Sequence, residues 1–247
     1  MNLQKSYISQ GNYLFRYRSY FPILLFVLAV PFIYDTSNDI YLKGWELTLT
    51  VLSVAVSVLG FFIRSYAIGT TPKGTSGRNT KEQVAEQLNT KGIYSVVRHP
   101  LYLGNYLIRL GIVFFTFSIS FALIFSLLFW IYYERIMSAE EDFIEKKFGD
   151  SFQIWADKTP PFFPGFKNYS KSSIPFSLKT VMRREYSGFL ATVLSFTYID
   201  YLRCFFFHNN YEVLRLSAYF LFTAGIIALV LRTLKHNTNW LNQEGRS

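Results

Sequence analysis

Apolar residues along the chain fall into long runs that are separated by polar, mostly basic segments. The pattern predicts membrane-spanning helices at about residues 20–34, 47–68, 188–207 and 213–231, and two more within 101–133. One helix over 101–133 would exceed a bilayer core of roughly 30 Å, so we divide this run into a hairpin that turns near residues 117–120. The sequence therefore predicts an all-α, polytopic integral membrane protein with about six transmembrane helices.

Composition supports a lipid environment for this chain of 247 residues. Hydrophobic residues make up 51% of it and aromatic residues 19%, but charged residues only 17%, whereas soluble domains carry about a quarter. A single cysteine, Cys204, excludes an internal disulfide. The three histidines lie on different segments, so we expect no bound metal.

The formal net charge of +9 would suggest nucleic acid as the partner of a soluble protein. In a membrane protein it is better explained by basic residues retained on the cytoplasmic side. Lys43 is the only lysine or arginine in the loops 35–46, 117–120 and 208–212, while the other polar segments are rich in these basic residues. We therefore expect a multi-pass membrane protein whose basic segments face the cytoplasm, with the bilayer as its partner and no nucleic acid. Arg203 and Arg215 fall within the last two predicted spans and weaken the topology there.

Two polar motifs flank the predicted hairpin. Arg98 and His99 precede Pro100, a residue suited to the first turn of a helix, and Glu140 and Glu141 follow the second span. Taken separately, Arg98 is explained as an interfacial anchor, His99 as a helix cap, and Glu140 with Glu141 as a solvated helix face. Because the hairpin brings the two motifs to one membrane edge, together they favour a site for a zwitterionic or cationic ligand.

Three motifs resemble a known family. The pattern Gly-x-Tyr-x-x-x-Arg-His-Pro-x-Tyr-x-Gly occupies 92–104, Glu-Glu-x-x-x-x-x-x-Phe-Gly occupies 140–149, and Phe-Phe-Pro occupies 162–164. They are similar to the isoprenylcysteine carboxyl methyltransferase and phospholipid methyltransferase family of membrane enzymes, which use S-adenosylmethionine. The resemblance implies a cofactor site on the cytoplasmic face that is formed by His99, Pro100, Tyr102, Leu103, Gly104, Glu140 and Glu141.

The resemblance also divides the chain into three parts. Residues 1–91 would form a two-span region with a basic loop, 92–164 the methyltransferase core, and 165–247 a two-span extension. Arg98 and Glu141 are catalytic candidates within the core. Arg109 is a third, because a charged residue inside a membrane span requires a partner or a cavity.

The acceptor of the methyl group is less constrained by the sequence. A phosphate or carboxylate oxygen needs no general base, whereas an amine must first lose a proton, so we favour an anionic lipid. Basic residues that could bind a lipid phosphate bidentately or as point charges are Arg64, Lys73, Arg78, Arg183 and Arg184.

The stretch 73–80 also resembles the branch of the family that methylates a phosphate of lipid A, so our first expectation is methyl transfer to a lipid phosphate such as the 1-phosphate of lipid A. Carboxyl methylation of prenylcysteine and N-methylation of phosphatidylethanolamine are alternatives. A non-enzymatic lipid-binding or transport protein is another, which paired helices interrupted by glycine or proline would favour; we find no symmetric pair of them.

Overall fold

A computed structural model describes residues 3–37, 44–72, 74, 85–208 and 214–246. The regular secondary structure of the described residues is helical, with no strand among them. The helices are α1 (Leu3–Tyr17), α2 (Phe21–Ser37), α3 (Glu46–Gly69), α4 (Pro100–Phe114), α5 (Ile119–Phe148), α6 (Asp150–Ala156), α7 (Leu178–His208) and α8 (Leu216–Asn237), with short 3₁₀ helices at Gly92–Ser95 and Phe166–Asn168. The all-α membrane fold is confirmed.

Within these ranges, α3, α5, α7 and α8 are long and apolar enough to cross a membrane. The apolar helices α2 and α4 are shorter, with 17 and 15 residues. A rise of about 1.5 Å per residue makes α4 only about 22 Å long, less than the thickness of a hydrocarbon core. The chain is therefore an integral membrane protein that combines long spans with shorter apolar helices.

The predicted hairpin is present between α4 and α5. α4 ends at Phe114, and the side chain of Ser118 caps α5 by accepting a hydrogen bond from the backbone N–H of Phe121 at 3.2 Å. A buried aromatic stripe follows on α5, with one residue in every four: Phe121, Phe125, Phe129 and Tyr133, each at most 2% exposed. This stripe forms the centre of the hydrophobic core.

α3 and α4 pack closely because small residues face each other. A Cβ atom on Gly60 would lie 2.6 Å from the carbonyl oxygen of Gly104, and one on Gly104 would lie 2.5 Å from Cγ of Arg64. The hydroxyl of Ser57 donates to the carbonyl of Ile108 at 2.8 Å. Interfaces of small residues with hydrogen bonds between helices are typical of packing in lipid.

Two helices extend beyond the predicted spans. The span expected at 188–207 is part of α7, which begins at Leu178, and α5 continues to Phe148 rather than ending near residue 133. Arg183 and Arg184 therefore lie on a helix and not in a connecting segment, which corrects the prediction. Hydropathy identifies only the part of a helix that lies in lipid, so it does not register the charged ends of α5 and α7.

Arg203 and Arg215 have local partners at the end of the bundle where α3 begins and α7 ends. Arg203 Nη2 lies 3.3 Å from Glu46 Oε2, and its guanidinium lies 3.7 Å from the ring centroid of Phe117. Arg215 Nε donates to Asp200 Oδ2 at 2.8 Å. Acidic and aromatic partners thus explain two arginines that conflict with the charge pattern of the predicted topology.

The opposite end of the bundle, where α3 and α8 end and α4 and α7 begin, is called here the basic end. The chain from α8 folds back to it, because Leu241 is buried and Arg246 donates to the carbonyls of Gly69 and Pro175. The Thr-x-x-Gln pattern at residues 80–83 predicts a short helix over residues 80–88, which the structure does not confirm. Residues 80–84 lie outside the described residues, and 85–88 are not helical.

Candidate active site

The loop that carries Arg98 and His99 lies at the basic end and is fixed by its backbone. The N–H groups of Arg98 and His99 donate to the carbonyls of Pro160 and Pro161 at 2.9 and 3.1 Å. Pro100 opens α4 at the first helical position, as the sequence predicts. The proline-rich segment after α6 therefore holds the loop against the start of α4.

Of the two acids on α5, Glu140 and Glu141, it is Glu141 whose negative charge has the closer cationic partners. It accepts hydrogen bonds from Arg98 Nε at 2.9 Å and Arg98 Nη2 at 3.2 Å, and its Oε1 lies 2.8 Å from His99 Nε2. Arg98 Nη1 also donates to the carbonyl of Ala156 at 2.8 Å. Arg98 thereby connects the loop to both α5 and α6, a geometry that orients Glu141 and His99.

The negative charge of Glu140 is less closely balanced by cations. The hydroxyl of Tyr102 donates to Glu140 Oε1 at 2.5 Å, His99 Nδ1 lies 3.6 Å from Oε2, and Arg18 Nη1 lies 4.0 Å from Oε1. The Glu140 side chain is 22% exposed, so it is open to solvent and to a ligand. We name the set Arg98, His99, Tyr102, Glu140 and Glu141 the polar cluster.

His99 lies between the two carboxylates, and its side chain is only 7% exposed. Burial alone lowers the pKa of His99, but hydrogen bonding to and the negative charges of Glu140 and Glu141 outweigh it and raise the pKa above its usual value. The positively charged imidazolium is therefore favoured. Both ring nitrogens face carboxylates, at 2.8 Å from Glu141 and 3.6 Å from Glu140, so the ring is poorly placed to accept a proton from another group.

A second polar site lies deeper in the bundle, between α2, α3, α4 and α7. Arg64 donates to both carboxylate oxygens of Glu185 at 2.8 and 2.7 Å, and to Asn105 Oδ1 at 2.7 Å. These residues line a cavity of about 200 Å³ together with Arg109, apolar side chains of the same four helices and Phe121 of α5. We call it the bundle cavity.

The polar cluster and the bundle cavity are connected by two tyrosines. Tyr102, which donates to Glu140, has its ring centroid 4.9 Å from that of Tyr133. The hydroxyl of Tyr133 accepts a hydrogen bond from Arg109 Nη1 at 2.7 Å, and Arg109 lines the cavity. A continuous path of side chains thus runs from the surface acids to a cation inside the bundle.

The structure brings together some of the predicted site residues and separates others. Arg98, His99, Tyr102, Glu140 and Glu141 are in mutual contact, whereas Gly104 faces α3 and Leu103 packs in the core. Arg64 and Arg109 line the bundle cavity. Arg183 and Arg184 lie near the start of α7, while Lys73 and Arg78 lie outside the described residues. The roles in catalysis and ligand binding remain predictions.

Sequence reasoning missed several residues of these sites. Glu185 and Asn105 gain their role only from contact with Arg64, across 121 and 41 residues of sequence. Asn105 carried a signal, since it interrupts an apolar run. Arg18 carried none beyond the general excess of basic residues. Over the described ranges, no group of three or more His, Cys, Asp or Glu residues is placed to hold a metal ion.

Comparisons with known proteins match the part of the chain that carries the polar cluster. Residues 46–151, which include the polar cluster, match the family model described as phospholipid methyltransferase. The chain is 30% identical over 114 residues to a protein-S-isoprenylcysteine O-methyltransferase of Schizosaccharomyces pombe, covering 44% of this chain and 48% of that protein.

Two bacterial relatives are also similar. A nickel-cobalt-cadmium resistance protein of Alcaligenes xylosoxydans is 30% identical over 136 residues, which cover 55% of this chain and 58% of that protein. A cobalt-zinc-cadmium resistance protein of Cupriavidus metallidurans is 30% identical over 152 residues, covering 61% and 64%. The chain thus spans about half to two thirds of the length of these relatives, and no solved structure matches it significantly. Residues 46–151 therefore match the phospholipid methyltransferase family, and part of the chain is also similar to a protein-S-isoprenylcysteine O-methyltransferase.

Proposed function

We propose that this protein transfers a methyl group from S-adenosylmethionine to an anionic acceptor that is embedded in the membrane. The observation that carries the proposal is the path from Glu140 through Tyr102 and Tyr133 to Arg109. It joins a surface cluster suited to an amino-acid zwitterion with a cavity that lies among membrane helices. A methyltransferase for lipids needs both sites, one facing water and one facing lipid.

The side chains of the polar cluster fit the cofactor that this family generally uses. The negative charge of Glu140 is only partly balanced by nearby cations and the side chain is accessible, so it can accept the ammonium group. The rings of His99 and Tyr102, with centroids 5.7 Å apart, lie beside it. When bound, S-adenosylmethionine supplies an electrophilic methyl group on a sulfonium. The residues of this chain then contribute alignment and exclusion of water.

The charges of the bundle cavity favour an acceptor that is already anionic. Arg64 and Arg109 contribute two positive charges, and Glu185 contributes one negative charge. An oxyanion needs no general base, whereas an amine does, and His99 is poorly suited as one. The volume of about 200 Å³ is below that of a typical ligand pocket, so it suits the reacting end of a lipid rather than the whole molecule.

A lipid phosphate, such as the 1-phosphate of lipid A, is our first candidate acceptor. Arg183 lies on α7 at the basic end, and among the described residues it has no hydrogen bond or ion pair. A guanidinium matches the geometry of a phosphate group with two parallel hydrogen bonds. The cationic cavity and this arginine together support the phosphate.

A prenylcysteine carboxylate is the second candidate. It is favoured by the similarity to the protein-S-isoprenylcysteine O-methyltransferase, although the chain covers only 48% of that protein. A carboxylate is also an oxyanion, so the cavity charges do not separate the two candidates. Phosphatidylethanolamine is disfavoured because its amine requires deprotonation, and a transport or lipid-binding protein would show no methyl transfer at all.

We further propose that the basic end faces the cytoplasm of a bacterial inner membrane, where S-adenosylmethionine is available. Residues 92–164 would act as the methyltransferase core. The regions 1–91 and 165–247 would contribute to the acceptor site, since α2 and α7 supply part of the lining of the bundle cavity.

The experiment is a methyl-transfer assay on the full chain, purified into nanodiscs. S-adenosylmethionine with a labelled methyl group is supplied with lipid A, N-acetyl-farnesylcysteine or phosphatidylethanolamine, and products are analysed by mass spectrometry. We expect a gain of one methyl group on lipid A. Transfer only to the farnesylcysteine would select the second candidate, and transfer to none of the three would contradict the proposed function.

Arg183→Ala tests the phosphate acceptor within the same assay. We expect a higher KM for lipid A with unchanged affinity for S-adenosylhomocysteine, because Arg183 is not in contact with the polar cluster. Lys179→Ala, which removes a cation that lies over Trp240 at 5.1 Å, is the matched control. An unchanged KM in the Arg183 variant would count against a phosphate bound at this place.

A further inference from the structure

The side-chain amide of Asn105 is held in one orientation by Arg64. Arg64 Nη1 donates to Asn105 Oδ1 at 2.7 Å, while Nε and Nη2 of the same guanidinium donate to the carboxylate of Glu185. Gly104 allows this close approach, because a Cβ atom there would lie 2.5 Å from Cγ of Arg64. A guanidinium has donors only, so the amide atom that faces it is the oxygen. The amide nitrogen of Asn105 is therefore directed away from Arg64.

This amide nitrogen is a hydrogen-bond donor without an acceptor. Among the residues that the structure describes, Asn105 Nδ2 has no hydrogen-bond partner, and it is not fully buried. Asn105 lines the bundle cavity and is partly exposed. A donor that is buried without an acceptor carries a free-energy cost. Contact with the open space of the cavity avoids this cost and leaves the donor accessible to a ligand there.

Other polar side chains of the cavity use donors within the protein. The hydroxyls of Thr192 and Ser195 donate to carbonyls four residues earlier on α7, at 2.9 and 2.7 Å. Arg109 Nη1 donates to the hydroxyl of Tyr133 at 2.7 Å. These donors are committed to the fold, whereas the amide nitrogen of Asn105 is not. Asn105 is therefore the polar residue of the cavity whose geometry points most clearly to a ligand.

Asn105 also lies on the side of the cavity that is close to the polar cluster. It follows Tyr102, a member of that cluster, by three residues on α4, which is about 4.5 Å along the helix axis. Residues at this spacing are neighbours on a helix surface. Ile112 and Val113 line the cavity about two turns further along α4. Because methyl transfer requires the acceptor atom to be aligned with the methyl group, the reacting end of the acceptor must reach the part of the cavity near Asn105.

Resting on the proposed function, we infer that Asn105 binds the anionic group of the acceptor by donating a hydrogen bond from Nδ2 to one of its oxygen atoms. A phosphate and a carboxylate both present such an oxygen, whereas a protonated amine has no lone pair that could accept the bond. Asn105 thereby favours oxyanion acceptors over amines. Arg64 orients the amide for this contact.

Substitution of Asn105 separates this donor from the contact with Arg64. Asn105→Asp retains an oxygen for Arg64 but replaces the donor by a second oxygen, and Asn105→Leu removes both. The nanodisc assay measures the KM for lipid A and for N-acetyl-farnesylcysteine, which carry a phosphate and a carboxylate. Both variants should raise the KM of the acceptor that the wild type methylates by at least about tenfold, the effect of losing a hydrogen bond to a charged group.

The affinity for S-adenosylhomocysteine, measured by isothermal titration, should stay within about twofold of the wild type in both variants, because Asn105 does not contact the ionic groups of the polar cluster. Asn105→Gln retains the amide and should recover part of the wild-type KM. Asn242→Asp is the matched control, because Asn242 is exposed on the chain after α8 and donates to Asn239 there at 2.8 Å. It should leave the KM unchanged.

Melting curves establish that each variant is folded. If Asn105→Asp fails this check, the comparison of Asn105→Leu with Asn105→Gln decides, because only the second retains a donor.

The outcomes separate the inference from the proposed function. A raised KM in Asn105→Leu with a wild-type KM in Asn105→Asp would show that Asn105 acts only by holding Arg64, and would overturn the inference. A wild-type KM in both variants, or a loss of S-adenosylhomocysteine affinity that matches the rise in KM, would overturn it as well. Methylation of phosphatidylethanolamine alone by the wild type would overturn the inference and the anionic acceptor, while methyl transfer itself stands. If the wild type methylated none of the three lipids, the proposed function and the inference would both be overturned.

Discussion

The strongest interaction of the polar cluster can be removed by Glu141→Gln, which retains the shape of the side chain but not its charge. Glu141 accepts two hydrogen bonds from Arg98 and one from His99, at 2.8 to 3.2 Å. Hydrogen bonds to charged groups contribute about 1.5–3 kcal/mol each. The side chains of Arg98 and Glu141 are 14% and 24% exposed, so water screens part of this energy. We expect a total loss of about 2–4 kcal/mol.

Thermal unfolding in detergent measures this loss. For a chain of this size, about 1 kcal/mol corresponds to roughly 2–4 °C in Tm, so Glu141→Gln should lower Tm by roughly 5–15 °C. Asp142→Asn is the matched control, because Asp142 pairs with Lys146, whose side chain is 73% exposed. Such a surface pair contributes about 0.3–0.5 kcal/mol, so the control should lower Tm by no more than about 2 °C.

A double-mutant cycle decides whether the loss comes from the contact itself. If Arg98 and Glu141 stabilise the protein through each other, the variant with both Arg98→Gln and Glu141→Gln should be at least about 1 kcal/mol more stable than the sum of the single effects predicts. Additive losses would mean that the two residues act independently. That result would refute the cluster as a connected unit.

Three further predictions follow from other contacts. Gly104→Ala should destabilise the protein by about 1–3 kcal/mol, measured as a lower Tm, because the added Cβ would lie 2.5 Å from Cγ of Arg64 and 2.9 Å from the carbonyl of Gly60; an unchanged Tm would show that α3 and α4 are further apart. Glu185→Gln should cost about 3–5 kcal/mol by leaving Arg64 without its buried anion, and a cost below about 1 kcal/mol would argue against that pair. The folded-state pKa of His99 is raised, so its contribution to the stability of the protein should be complete below about pH 6.5 and should decline as pH increases through the raised pKa. His99→Gln should remove this decline from melting curves recorded at a series of pH values. A pH profile of Tm that is the same in the variant and the wild type would contradict this role of His99.

The sequence could predict the parts of the site that depend on local patterns. A short turn between two apolar runs places both outer ends of a hairpin together, so the contact between His99 and Glu141, 42 residues apart, follows from topology. Pro100 marks the start of α4 for a similar local reason. The membrane environment follows from composition, because it needs no knowledge of which helices touch.

The sequence could not predict contacts that depend on how the remaining helices pack. In the sequence, Arg64 resembles a basic residue near a membrane surface. Its pairing with Glu185 is evident only in the structure, where α7 packs against α3. The sequence did not predict α1 either, because it is too polar for a membrane span. Its buried residues are only Gly11 and Phe15. Hydropathy carries no information about which faces of separate helices come together, so the bundle cavity and Arg18 required the structure.

The affinity of the purified protein for S-adenosylhomocysteine tests the central claim most directly. The account predicts that the wild-type chain binds this ligand, that Glu140→Gln weakens binding by at least about tenfold because the ammonium loses its carboxylate, and that Asp142→Asn leaves the affinity unchanged. Absence of binding by the wild type, or equal affinities for all three proteins, would contradict a cofactor site at Glu140.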